Sequence, residues 1–173
     1  LYELGISDFE FKNYPVSMWD IYGEKGIPLR VTVSEMGPLM LSNILDLNDT
    51  QRGVLNIVFK VADSEGLLLI DLKDLKQVIN FVNDNRDEIS KNYGNVASQS
   101  LSAISRKLLF IEDAGGDLFF GEPDIDINDL VRTDATGKGL VNILNANKLI
   151  SNPLLYSMLL LYLLSEIYEN FPE

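Results

Sequence analysis

The sequence predicts a mixed α/β fold that is mostly helical. Long stretches place apolar residues at helical spacing, whereas only short runs near the two ends of the chain alternate between apolar and polar residues. A length of 173 residues with 46% hydrophobic content suits one globular domain with a substantial core.

The N-terminal part predicts two strands. Residues Val16 to Tyr22 alternate after Pro15, and Leu29 to Ser34 alternate again after Gly23 and Gly26. Since a short turn separates the two runs, we expect them to pair as a hairpin.

The middle of the chain predicts helices. Asn48 or Asp49 and, later, Asp71 stand where helix N-caps are expected, because their side chains can accept hydrogen bonds from free backbone N–H groups. The predicted helices run from Pro38 to Leu47, from Asn48 or Asp49 to Gly66, from Leu72 to about Val82, and from about Val96 to Asp113, ending at Gly115 and Gly116. The polar stretch from Asn83 to Asn95 is predicted to be a joint without regular structure.

The last predicted helix, Pro153 to Phe171, is apolar on nearly every side. Its uninterrupted apolar part is about a dozen residues, against ~20 for a membrane span, so no membrane insertion is expected. Such a helix is buried on more than one side in a complete protein. We expect a bare apolar surface in this chain and self-association through Tyr156, Leu160 and Leu163.

The sequence contains no His and no Cys. This excludes Ser-His and Cys-His nucleophiles, ordinary zinc or iron–sulfur ligation and disulfides, and it is compatible with a cytoplasmic location. No signal peptide is visible at the N-terminus. We predict no catalytic, cofactor-binding or metal-binding residue in this chain.

One segment, RTDATGKGLV, contains a Gly-Lys pair, Gly137-Lys138, that suggests a phosphate-binding loop. Such a loop needs Gly five residues before the second Gly, and Ser or Thr after the Lys. Here those positions hold Arg132 and Gly139. We therefore predict a turn at 136–139 that leads into a strand, Leu140–Leu144.

The acidic run Asp124 to Asp129 suggests a calcium loop. Its sixth position is Asp129 instead of Gly, and its twelfth is Ala135 instead of Glu, so the pattern does not fit. Asp126 is instead predicted to cap a short helix, Ile127 to Val131.

The net charge of −12 opposes binding to DNA, because nucleic-acid affinity depends on Lys and Arg neutralising phosphates. We expect no direct nucleic-acid contact by this chain. The acidity can also simply maintain solubility.

Four segments in this order and spacing resemble the HerA-like P-loop ATPases of the helicase-like YjgR type, over about nine tenths of the chain. The segments are WDIYGEKGIPLRVTVSEMGPLMLSNILDLNDTQRGVLNIVFKVAD, GLLLIDLKDL, GGDLFFGEPDIDINDLVRTDATGKGLVNIL and LLYSMLLLYLLSEIYENFPE.

The resemblance implies a position within a longer enzyme. In that family a Walker A loop precedes the Trp19 segment, and a Walker B strand ending Asp-Glu-Ala-His follows the Pro172 segment. By this resemblance, residues 1–38 hold strands of the ATPase core, 39–116 form a helical insertion, and 117–173 return to the core. The resemblance implies that the parent enzyme binds ATP and Mg, and that this chain binds neither.

The resemblance further implies ring oligomers that couple ATP hydrolysis to movement on DNA. This segment would then have a structural role, in contact with other subunits. A neighbouring subunit in such rings often supplies an Arg to the transferred phosphate, although each Arg here is more typical of a surface ion pair. The candidates are Arg30, Arg52, Arg106 and Arg132.

Two other functions stay open at this point. The chain could be an independent acidic, helical protein-interaction module without catalysis. It could also be a hydrolase using two carboxylates, but no spacing among the 26 acidic residues selects a pair.

Overall fold

Two short strands from distant parts of the chain form a parallel sheet. In the computed structural model, which describes residues 13–123 and 126–170, strand β1 is Val16–Trp19 and strand β2 is Val141–Leu144. Val16 lies opposite Val141, and Trp19 lies opposite Leu144. The rest of the described chain is largely helical, so the predicted mixed, mostly helical α/β fold is confirmed.

The predicted hairpin is wrong. β1 ends at Trp19, where Ile27 returns beside it: the Ile27 N–H donates to the Met18 carbonyl, and the Asp20 N–H donates to the Ile27 carbonyl. Val31 instead forms an isolated bridge with Phe120. The segment around Val31 alternates between buried and more exposed residues, as the sequence indicates. Its backbone partner, however, lies far along the chain.

The described chain contains seven α-helices. They are α1 (Val33–Ile44), α2 (Asp49–Ser64), α3 (Leu72–Asp84), α4 (Arg86–Tyr93), α5 (Ser98–Asp113), α6 (Gly116–Phe119) and α7 (Pro153–Asn170). Short 3-10 helices occupy Ile127–Val131 and Leu149–Ser151.

Side-chain caps determine where three of these helices begin. Asn48 caps α2 and Asp71 caps α3, as predicted, each by accepting a backbone N–H in the first turn. Thr32 caps α1 in the same way and starts it earlier than expected. Gly37 breaks α1 with a φ of 67°, so its regular part begins at Pro38, the predicted start.

The region predicted as a polar joint contains helix α4, so that prediction is wrong. The one buried residue of α4 is Ile89. A single buried apolar residue in a charged stretch does not produce the helical spacing of apolar residues by which a helix is predicted. α5 ends where expected. Gly115 adopts a φ of 93°, and a Cβ on Gly116 would lie 2.5 Å from the Ile111 Cγ2 atom.

The core lies among the helices of the middle region. α2 packs against α1, α3 and α5, and α3 also packs against α5. Fully buried side chains at these contacts include Leu55, Val58, Leu75, Ile104 and Leu108. The helices form the bundle-like cluster that their periodicity predicts.

Helix α7 is covered on one side only by the described chain. It packs against α1 and the 3-10 turn before it, through Leu155, Met158 and Leu159. The Tyr162 ring meets the Phe119 ring edge-on at 6.5 Å. Tyr156, Leu160 and other apolar side chains on the opposite side are exposed. None of the described helices has the length and hydropathy to cross a membrane.

Candidate functional site

The Gly137-Lys138 turn is occupied by a carboxylate of its own chain. Asp134 Oδ1 accepts hydrogen bonds from the N–H groups of Thr136 (2.8 Å) and Lys138 (3.0 Å), and from the Thr136 hydroxyl (2.6 Å). The Thr136 hydroxyl contributes most to lowering the pKa of Asp134, and the Lys138 N–H also contributes. Asp134 takes these donors within its own chain, and the segment forms the turn that the sequence predicts.

The acidic run beside this turn forms the predicted helix cap. Asp126 Oδ1 accepts from the Asn128 N–H over 2.8 Å and starts the 3-10 helix. Asp129 forms an ion pair with Arg132 at 2.5 Å. Asp124 and Ile125 lie outside the described residues. Among the residues that the structure does describe, no group of three or more acidic side chains is placed to hold a metal ion.

The carboxyl ends of the two strands meet at Asp20, a residue that sequence reasoning missed. Its side chain is 1% exposed and accepts hydrogen bonds from four donors. These are the N–H groups of Tyr22 (3.0 Å), Lys25 (3.0 Å) and Glu24 (3.2 Å), and the side-chain amide of Asn145 (3.2 Å). Burial acts to raise the pKa of Asp20, but these hydrogen bonds together lower it below its ordinary value of 3.8.

The loop around Asp20 explains the spacing of the WDIYGEKG segment. Gly23 has a φ of 63°, and a Cβ on Gly26 would lie 2.6 Å from the Met18 carbonyl oxygen. One Asp followed by two Gly residues thus closes a tight loop on itself. That combination is the sequence signal that could have identified Asp20.

A second contact fastens this loop to the segment after β2. Lys148 Nζ lies 2.5 Å from Glu24 Oε1 and 5.6 Å from the centre of the Tyr22 ring. The Glu24 carboxylate raises the pKa of Lys148. Lys148 therefore already has an ion-pair partner, Glu24, at the carboxyl edge of the sheet, where α/β proteins usually bind ligands.

The four candidate arginines lie on different elements. Arg52 donates from Nε to the Leu47 carbonyl over 2.8 Å, which supports the connection between α1 and α2. Arg132 pairs with Asp129. Arg30, in the extended segment before α1, and Arg106, on α5, are exposed.

An acidic cleft of about 480 Å³ lies between the start of α1 and the second half of α7. Glu35, Asp126 and Glu166 line it with Tyr162. Burial and the nearby carboxylates of Glu169 and Glu35 raise the pKa of Glu166. Burial and the same negative field raise the pKa of the Tyr162 hydroxyl. This cleft opposes binding of phosphates and other anions.

A polar groove of about 560 Å³ lies between α2 and the connection from α4 to α5. Its lining holds one basic residue, Lys60, and one acidic residue, Asp49. The lining also includes Thr50, Asn56, Tyr93 and Asn95.

The comparison with protein families decides what kind of chain this is. A family model described as helicase HerA-like C-terminal matches residues 1–173, the full length of the sequence. The chain belongs to this family. The HerA-like part of the resemblance is thus confirmed, and this HerA-like chain is part of a HerA-like helicase or ATPase. No curated protein and no solved structure matches it.

Proposed function

We propose that this HerA-like chain is the segment between the Walker A and Walker B motifs of its parent ATPase, and that its role is structural. Parts of the parent outside this chain hold ATP and Mg. The segment supports the ATPase core and contacts other subunits of a cytoplasmic translocase, without contacting DNA itself.

One face of the sheet is left uncovered by the described residues, and this observation carries the proposal. Val16 and Met18 on β1 and their partners Val141 and Ile143 on β2 are all exposed, and together they form an apolar face. Parallel sheets occur almost only with both faces covered, and two strands alone are rarely stable. The sheet is therefore best understood as part of a larger one.

The carboxyl edge of the sheet supports a scaffolding role. Ligands of open α/β sheets bind beyond the carboxyl ends of the strands. Asp20 organises that edge entirely with donors of its own chain, and Lys148 is paired with Glu24. This segment would thus contribute an ordered carboxyl edge to a larger sheet, but no side chain that binds phosphate.

The helical region is suited to contacts with a neighbouring subunit. Arg52 and Arg132 already have partners within the chain, whereas Arg30 and Arg106 are exposed. If a neighbour receives an Arg from this segment, Arg30 and Arg106 are therefore the stronger candidates. The alternative of a stand-alone acidic module is not favoured, because the family that matches this chain is a helicase HerA-like family.

The first test reads the coding sequence that flanks this segment and expresses the longer protein. We expect Gly-Lys-Thr upstream, Asp-Glu-Ala-His downstream and ATP hydrolysis by the longer protein only. Lys138→Ala should leave that hydrolysis unchanged, because the turn at Lys138 is filled by Asp134. Micromolar ATP binding by the 173-residue chain, lost in Lys138→Ala, would contradict the proposal.

The second test addresses the arginines in the longer protein. A trans-acting Arg contributes about 10³-fold or more to kcat, so a loss of that size in Arg30→Ala or Arg106→Ala would identify a catalytic Arg supplied to the neighbour. Arg86→Ala is a matched control, because Arg86 lies 3.9 Å from the exposed Asp87 in the same helix, α4. If both variants retain the kcat of the control, this segment contacts its neighbours without supplying a catalytic Arg.

A further inference from the structure

Helix α2 contains a glycine that its own fold does not require. Gly53 lies inside the first half of the helix and has no positive φ that only glycine would adopt readily. A Cβ built on Gly53 would meet no side chain and no distant backbone atom of the described chain within 4 Å. Glycine is less favourable than alanine in the interior of a helix. Gly53 therefore leaves helix backbone exposed without stabilising the described chain.

Gly53 lines the polar groove of about 560 Å³ between α2 and the connection from α4 to α5, which we call the α2 groove. One wall is the face of α2 that carries Asp49, Gly53, Asn56 and Lys60, at intervals of four, three and four residues. The other wall is formed by residues 92–95. The volume of this groove is typical of a ligand-binding pocket.

The two walls of the α2 groove present the hydrogen-bonding groups of a peptide bond. Asn56 lies on α2, Asn92 and Asn95 lie on the facing wall, and all three are exposed. Each carboxamide has a C=O that accepts and an NH₂ that donates, so it can pair with the N–H and the C=O of another backbone. Extended peptides are commonly bound through such main-chain hydrogen bonds. The missing side chain at Gly53 lets that backbone approach α2 closely.

The charged residues of the α2 groove indicate the length of its occupant. Asp49 and Lys60 are separated by eleven positions on α2, which is ~16 Å along the helix axis. An extended chain advances ~3.3 Å per residue, so about five residues cover this distance. A carboxylate at one end and an ammonium group at the other attract opposite charges at the two ends of the occupant.

We propose that the α2 groove binds an extended segment of about five residues from a partner protein, with a basic residue beside Asp49 and an acidic residue beside Lys60. The inference concerns a surface of the chain itself and does not rest on the position proposed between the nucleotide motifs.

The lining favours an extended peptide over a helix or a nucleotide. An amphipathic helix binds in a hydrophobic groove, whereas Thr50, Asn56 and Asn95 place polar groups along this one. The phosphate of a nucleotide would gain one cation, Lys60, but would also meet the carboxylate of Asp49 in a chain with a net charge of −12.

NMR spectroscopy of the ¹⁵N-labelled chain tests the occupant. Two probes, acetyl-Lys-Ser-Gly-Ser-Glu-amide and acetyl-Glu-Ser-Gly-Ser-Lys-amide, cover both directions of the segment. One of them should shift the backbone amide signals of Gly53, Asn56, Lys60 and Asn95 with a Kd of about 1 mM, since a short flexible peptide loses its freedom on binding. Acetyl-Ser-Ser-Gly-Ser-Ser-amide should bind more weakly, because it lacks the charges. No shift with either charged peptide, or shifts of these signals by AMP alone, overturns the proposal.

Gly53→Ala separates binding from stability. Its melting temperature should rise by ~2–4 °C, because alanine favours the helix. Its affinity for the bound peptide should fall by at least about fivefold, because the added Cβ lies where the peptide backbone would pack. Gly139→Ala is the matched control: its Cβ would also meet no described atom within 4 Å, and Gly139 lies in the turn before β2. A lower melting temperature of Gly53→Ala, or an affinity equal to that of the control, contradicts the proposal.

Discussion

The indole N–H of Trp19 donates a hydrogen bond to the side-chain oxygen of Asn142 over 2.8 Å. This bond links β1 to β2 beyond their backbone pairing. The Asn142 amide also donates to the Leu130 carbonyl over 2.6 Å. A single side chain thus connects both strands to the 3-10 helix that precedes β2.

Replacing Asn142 by Ala should destabilise the chain by about 1–2 kcal/mol, because the buried Trp19 N–H loses its acceptor. Trp19 is the only tryptophan, so its fluorescence during urea unfolding reports this region directly. Asn56→Ala on the exposed side of α2 is the control and should cause no loss. Equal stability of Asn142→Ala and the natural chain would show that the bond contributes nothing.

Replacing Asp20 by Ala should cost about 2–4 kcal/mol, since four donors lose their shared acceptor. The effect should also depend on pH. The folded pKa of Asp20 lies below its unfolded value, so its contribution is present above about pH 4 and is lost as the pH falls through the folded pKa.

The measurement is the free energy of unfolding of both chains between pH 7 and pH 2. Asp20→Asn, which keeps one acceptor oxygen, should lose less stability than Asp20→Ala. A difference between Asp20→Ala and the natural chain that stays constant down to pH 2 would contradict the role of the ionised carboxylate.

Replacing Glu166 by Gln should stabilise the chain at neutral pH. The folded pKa of Glu166 lies above its ordinary value of 4.5, because burial and the carboxylates of Glu169, Glu35 and Asp126 disfavour its charge. A raised acid pKa means that stability falls as the pH rises through the window above the unfolded pKa. Glu166→Gln removes this loss, which we expect to be below ~1 kcal/mol for a partly exposed group.

Thermal unfolding at pH 7 and at pH 3.5 checks this prediction. The melting temperature of Glu166→Gln should exceed that of the natural chain at pH 7, and the two should converge at pH 3.5. Glu122→Gln, at an exposed position outside the helices, is the matched control and should show no such difference. A lower melting temperature of Glu166→Gln at pH 7 would show that its charge is favourable.

The chain should not bind duplex DNA at physiological salt, because a net charge of −12 opposes the polyanion. Fluorescence anisotropy with a labelled duplex at micromolar protein should show no change. Binding that weakens steeply with added salt would instead reveal a basic surface that the sequence does not suggest.

Local sequence signals determined much of the helical architecture. The caps at Asn48 and Asp71 were predictable because a short polar side chain meets free N–H groups of its own first turn. The turn at Gly137-Lys138 was predictable from its glycines, whereas the hydrogen bonds of Asp134 that fill it were found only in the structure. The candidate arginines were visible in the sequence, but their partners were not.

Tertiary structure alone decided the features that join distant residues. The alternation of Leu29 to Ser34 showed an extended, half-buried segment but not that Phe120 would be its partner. The parallel pairing of β1 with β2, the four donors around Asp20 and the bare outer face of α7 likewise depend on contacts between separate parts of the chain. A period in the sequence records which side chains are buried, whereas the identity of the partner depends on how the whole chain packs.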